Sequence, residues 1–226
     1  MAVKYKIDAD RWDPEPRWLA WIVVLALGGI YTALPSHLIV GPRWAFLVVV
    51  VVLLAPTVFT YYFKEYRQLN RILGFSVIAL VTVGEIASVG LLIGNISGLP
   101  QHREAPTELL LSAAALWVSN VLVFSLWYWK LDAGGPHRRE RRDSHEEGAF
   151  LFPQMTLPGN AKIATKPSDW KPNFVDYLFL AFNTSTAFSP TDVPVLTRWA
   201  KVMMMVQSLI SLTVLALLAA RAVNIL

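Results

Sequence analysis

Long apolar runs, each about as long as a helix needs to cross a bilayer, decide what this chain can fold into. They cover residues 44–63, 72–93, 109–129 and 199–226, and a shorter one covers residues 18–34, with a possible extension to Val40 past Pro35. A hydrocarbon core roughly 30 Å thick takes about 20 helical residues to span. No water reaches that core, so each backbone N–H and C=O must find its partner inside the segment, and a lone run must be helical. The block Val48–Val52 favours a strand in water, yet the same argument makes it helical here. Composition agrees: 55% of residues are hydrophobic and only 16% are charged, against about a quarter charged in soluble domains. The expected fold is all-α, a polytopic integral membrane helical bundle of about five transmembrane helices plus one re-entrant half-helix.

The absence of cysteine excludes disulfides, thiolate metal sites and cysteine nucleophiles. A formal charge of +4 suits loops facing anionic lipid. It does not indicate nucleic acid, because the basic residues flank the spans. Residues 1–17 mix Lys4, Lys6, Arg11 and Arg17 with Asp8, Asp10, Asp13 and Glu15. That mixture does not read as a cleavable leader, so residues 1–17 are expected to form an interfacial, cytoplasmic segment. Residues 18–131 form the four-helix transmembrane region, 132–172 an extramembrane segment and 173–226 a half-helix, turn and final span. The extramembrane segment carries Gly134-Gly135-Pro136, the charged run from His137 to Asp143, and Pro153, Pro158, Pro167 and Pro172. Such punctuation allows little regular structure.

The last part has a distinctive order. Pro172-Asn173 offers a turn and a helix cap. The helix after it, ending near Thr186, reaches about 20 Å at 1.5 Å per residue, which is short of a crossing. Asn183, Thr184, Ser185 and Thr186 at its end need a protein interior or a wet cavity. Ser189-Pro190-Thr191-Asp192 reads as a helix start, with Ser as cap, Pro at the first position and Asp at the third. Pro194 makes a later start equally good. In the final span Gln207 and Ser211 share one face, directed at neighbouring helices or at a lumen.

This order resembles the pore half of a potassium channel, with pore helix, filter, Asp, Pro and inner helix. Thr184-Ser185-Thr186 would end the pore helix, Thr186 to Pro190 would lie on the filter, and Asp192 would stand near the filter's Asp. Both filter glycines are missing, Pro190 has a locked φ, and the Asp falls one position late, so the resemblance implies a non-standard filter. The segments Trp127-Tyr-Trp-Lys-Leu-Asp-Ala-Gly-Gly-Pro136, Phe150-Leu-Phe-Pro-Gln-Met155, Phe174-Val-Asp-Tyr177, Ala187-Phe-Ser-Pro-Thr-Asp192 and Ala220-Arg-Ala-Val-Asn-Ile-Leu226 are also similar to a functionally unassigned family of small bacterial integral membrane proteins. That resemblance implies a helical fold in the bacterial cytoplasmic membrane and no activity.

Basic residues set the expected orientation. Lys4, Lys6, Arg11 and Arg17 precede the first span, and Lys64, Arg67 and Arg71 follow the second. Lys130 and the arginine run follow the fourth, while the other loops carry only Arg43 and Arg103. By the positive-inside rule the N-terminus and residues 132–172 face the cytoplasm. The half-helix then enters from the cytoplasm, leaving Leu226 outside. The alternative is a full crossing by residues 174–188 as a sixth span.

Glu85 lies mid-span, where an acid is a candidate for ion or proton handling or a hydrogen-bonded packing residue. Gly90-Leu-Leu-Ile-Gly94 permits close helix contact, and Asn120 reads as an interhelical hydrogen-bonding residue. The histidines show no metal-ligand spacing, and no motif for hydrolysis, phosphate or dinucleotide binding stands in context. No catalytic residues, metal or cofactor are therefore expected, and the chain does not read as an enzyme. The leading functional expectation is an ion-conducting or pore-like protein. Thr184, Ser185, Thr186 and Ser189 would line its constriction, Asp192 would draw monovalent cations, and Gln207 and Ser211 would face the lumen, in a homo-oligomer that is a tetramer if channel-like. The alternative is a structural or accessory membrane protein without transport activity. The bilayer is the partner in either case.

Overall fold

A computed structural model describes residues 15–97, 106–140, 148–158, 170–186 and 193–223. Helices dominate: α1 (Trp18–Ala33), α2 (Arg43–Tyr61), α3 (Arg67–Ser97), α4 (Pro106–Leu131), the single turn α5 (Pro136–Arg139), α6 (Phe174–Thr186) and α7 (Arg198–Val223). Among the described residues no strand forms, and the only β-type pairing is one isolated antiparallel bridge between Phe150 and Val195. Four helices, α2, α3, α4 and α7, are long and apolar enough to cross a membrane. The chain thus has the character of a multi-pass membrane protein. α1 is equally apolar but runs only 16 residues, about 24 Å at 1.5 Å per residue.

α4 is the hub, touching α1, α3, α6 and α7, while α2 closes the other side against α1 and α3. Its membrane window is 56% buried inside the protein, against 22% for α2 and 17% for α7. The outer helices turn apolar side chains outward. Val52 and Phe59 on α2, Val83 and Ile86 on α3, and Met205, Leu209 and Leu212 on α7 are all exposed. In water such faces would be a liability; against acyl chains they match the solvent.

α6 and α7 start at the same end of the bundle. Tyr177, in the first turn of α6, donates to Asp132 just past the end of α4. Phe150 stacks edge-on against both Tyr177 and Trp199. The bridge at Val195 is held by Leu151 N–H to Pro194 O at 2.9 Å and Leu196 N–H to Ala149 O at 2.8 Å. α6 ends beside Trp117, near the middle of α4, where the Trp117 indole meets the Ser185 carbonyl. α6 therefore reaches only part-way along the bundle, and α7 starts from the end where α6 began. Phe150 and Phe152 are buried among aromatic rings, so this part of residues 132–172 plugs onto the bundle end.

Gly90 and Gly94 stand on an open face, where an added Cβ would meet nothing within 4 Å. The close approach on α3 occurs at Gly84 instead, where a Cβ would meet the Phe46 ring at 2.8 Å.

Candidate functional site

The start of α6 is fixed by reciprocal capping. Asn173 Oδ1 accepts from Val175 N–H at 2.8 Å, and Asp176 Oδ2 accepts from Asn173 N–H at 2.7 Å, so two orphan donors are satisfied locally. This clamps the helix so that one face looks at α4 and α7. Ala181, Thr184 and Ser185 lie on that face and are buried, whereas Val175, Phe179 and Phe182 face outward.

Gln207 of α7 meets this face. Its Nε2 donates to the Ala181 carbonyl and to Ser185 Oγ, both at 2.7 Å, and its Oε1 accepts from the Tyr128 hydroxyl. A carbonyl can only accept, so the Ala181 contact fixes which end of the amide points at α6. One turn on, Asn120 Nδ2 donates to Ser211 Oγ at 2.7 Å and to the Gln207 carbonyl at 3.1 Å. Ser208 Oγ donates to the Thr184 carbonyl at 3.3 Å. Thr184 and Thr186 return their own hydroxyls to carbonyls within α6. Gln207, Ser211 and Ser185 are wholly buried, Thr184 is buried, and Thr186 is half-buried. Tyr128, Ser185, Gln207, Asn120 and Ser211 form one network joining α4, α6 and α7, and the Ser208–Thr184 contact is a separate link between α6 and α7. Ser189 and Asp192, the remaining pore candidates, lie outside the described residues.

Glu85 is separate from this network. It is 6% exposed, and among the described residues neither its Oε1 nor Ser88 Oγ beside it has a hydrogen-bond partner. Both border a cavity of about 10 Å³ with Ser119, Tyr31 and Phe46, room for roughly one water.

A third cluster, at the end where α1 and α3 begin and α4 finishes, was not legible in the sequence. Arg17 is buried and donates to Glu140 Oε1 at 2.7 Å and to Asn70 Oδ1 at 3.2 Å. Asn70 in turn donates to the Thr57 carbonyl and Thr60 Oγ1. His137 lies between Arg17 and Asn70, within 3.0 Å of both. Arg139 donates to the carbonyls of Trp129 and Asp132 and to Glu15 at 2.9 Å. It thereby satisfies carbonyls at and just past the end of α4, where a cation is favoured.

The turn that brings these residues back under the helices is Ala133-Gly134-Gly135, with φ of 51°, 81° and 88°. A Cβ at Gly135 would lie 2.7 Å from the Lys130 carbonyl, so only glycine fits. The charged run beginning at His137 suggests a solvated stretch. Its first residues instead supply buried ion pairs, and the Gly-Gly-Pro turn was the available signal. Among the described residues no group of three or more His, Asp or Glu side chains is gathered for a metal ion.

No family model, curated protein or solved structure matches this chain.

Proposed function

We propose that this chain is a structural or accessory protein of a bacterial cytoplasmic membrane, in which the channel-like hairpin is a packing element and not a conduit. The observation that carries this reading is Gln207. Its amide is wholly buried and occupied by partners from α4 and α6. A lumen-lining side chain would instead leave groups open to water. Ser211 and Ser185 support the same reading, since each is enclosed and bonded across helices. The charge asymmetry supports a cytoplasmic position for residues 132–172.

A second reading draws on the re-entrant path of α6. In a homo-oligomer, Thr186, Ser189 and Asp192 would meet at a symmetry axis and pass monovalent cations. One experiment separates the two. Single cysteines are introduced as Gln207→Cys, Ser211→Cys and Ser189→Cys into this cysteine-free chain, which is reconstituted in liposomes. Labelling by a membrane-impermeant maleimide and monovalent-cation flux are then measured. Protection at all three positions with flux no greater than empty vesicles is expected. Cation flux that is blocked by labelling Ser189→Cys would establish conduction and remove the first reading.

A further inference from the structure

Between α1, α2, α3 and α4, just inside the ion-pair cluster, lies a cavity of about 40 Å³ whose wall is mostly apolar, with Arg17, Thr57, Asn70 and Lys130 as its polar edge. Lys130 is 6% exposed. No oxygen of the described residues accepts from its ammonium. Its contacts are the faces of Phe75 at 5.4 Å and Trp129 at 5.9 Å. The backbone of α3 comes so close that a Cβ at Gly74 would overlap the ammonium. The second cation on the cavity, Arg17, also has an open donor, because among the described residues its buried Nε has no partner.

Among the described residues no carboxylate lines this space. Glu140 is taken by Arg17, Glu15 by Arg139 and Trp129, and Asp132 by Tyr177 and the Ala149 N–H. Besides its burial, the guanidiniums of Arg17, Arg71 and Arg139 bear on Lys130 among the described residues. An uncompensated charge in such a site costs several kcal/mol, so the lysine either neutralises or is answered by a bound anion. Aromatic faces answer it only in part, at about 2 kcal/mol when desolvated.

We propose that the cavity between Arg17 and Lys130 binds a small monovalent anion of halide size. A water needs roughly 10–15 Å³ of such space, so the volume accommodates a halide with a water or two but not a lipid phosphodiester. Lys130 supplies the charge, and Arg17 Nε supplies a second donor. The anion neutralises the excess positive charge that the four helices enclose. Halide binding would thus lock the N-terminal helices onto α4, a role that the hairpin reading neither requires nor supplies.

Trp21 and Trp129 form part of the wall, which makes bromide both ligand and quencher. The purified full-length chain in detergent would be titrated with sodium bromide against sodium gluconate at constant ionic strength. Tryptophan fluorescence and thermal unfolding would be followed together. A saturable quench and a rising Tm are expected for the native chain. Lys130→Met should abolish both while melting no lower than the native chain in gluconate, because it removes an uncompensated charge. Gly74→Ala, which keeps the charge but displaces the ammonium, should weaken binding about tenfold or more. Crystals grown in bromide should show an anomalous peak between Arg17 and Lys130. A linear, non-saturating quench in the native chain, or a saturable one unchanged in Lys130→Met, would overturn the proposal. So would anomalous peaks lying only elsewhere.

Discussion

Gln207 and Glu85 are both polar side chains buried inside the bundle, yet they should respond oppositely to substitution. Gln207→Leu strips the Tyr128 hydroxyl, Ser185 Oγ and the Ala181 carbonyl of a shared partner. Leaving buried groups unsatisfied costs about 1–3 kcal/mol, although interhelical hydrogen bonds in membranes average nearer ~0.6 kcal/mol. A loss of about 1–2 kcal/mol is therefore expected, read as a lower unfolding midpoint in detergent. Among the described residues Glu85 has an oxygen without a partner and no basic neighbour on its cavity. Glu85→Gln should accordingly leave the midpoint unchanged or raise it, because an uncompensated carboxyl is exchanged for a neutral amide of the same shape. A clear drop in the same melt would show that the acid has a partner or a task. Both residues stand out in the sequence as polar letters in apolar runs. Nothing in the letters tells which one is satisfied, since satisfaction depends on three other helices.

Among the elements, two local devices hold irregular backbone in place. Asn173 and Asp176 cap α6 reciprocally. Asn173→Ala should cost about 0.5–2 kcal/mol, and proteolysis near residue 173 should speed up accordingly. The Gly134-Gly135 turn is the more demanding. Gly135 sits at φ 88° and ψ 172°, a region essentially closed to side chains and costing about 1–3 kcal/mol when forced. Its Cβ would also press on the Lys130 carbonyl. Gly135→Ala is expected to destabilise by at least that strain and to release the Arg139 cap, seen as a lower midpoint and faster amide exchange at the end of α4. Helix positions themselves were readable, because apolar length and backbone satisfaction leave one solution. The short reach of α6 was readable too, from its length and its hydroxyl-bearing end.

Across the full bundle, the ion-pair cluster ties the segment before α1 to the segment after α4. Arg17 and Glu140 are both buried, so removing one partner leaves a charge without an answer. Arg17→Ala should cost about 3–5 kcal/mol, whereas Arg17→Met combined with Glu140→Leu should recover most of that loss. A double-mutant cycle on unfolding midpoints checks both expectations. A cycle with no coupling would mean that the pair is solvated.

The letters of the chain were enough to establish a helical membrane bundle and to place its helices. Apolar length and the need for internally paired backbone act within each segment and require no knowledge of the others. The packed fold was needed to learn that Gln207 and Ser211 are enclosed, that α6 and α7 start from one end, and that Arg17, Lys130 and Arg139 gather there. Those outcomes depend on which faces meet across large separations in the chain. A polar side chain reads the same in sequence whether it borders water, lipid or a partner helix.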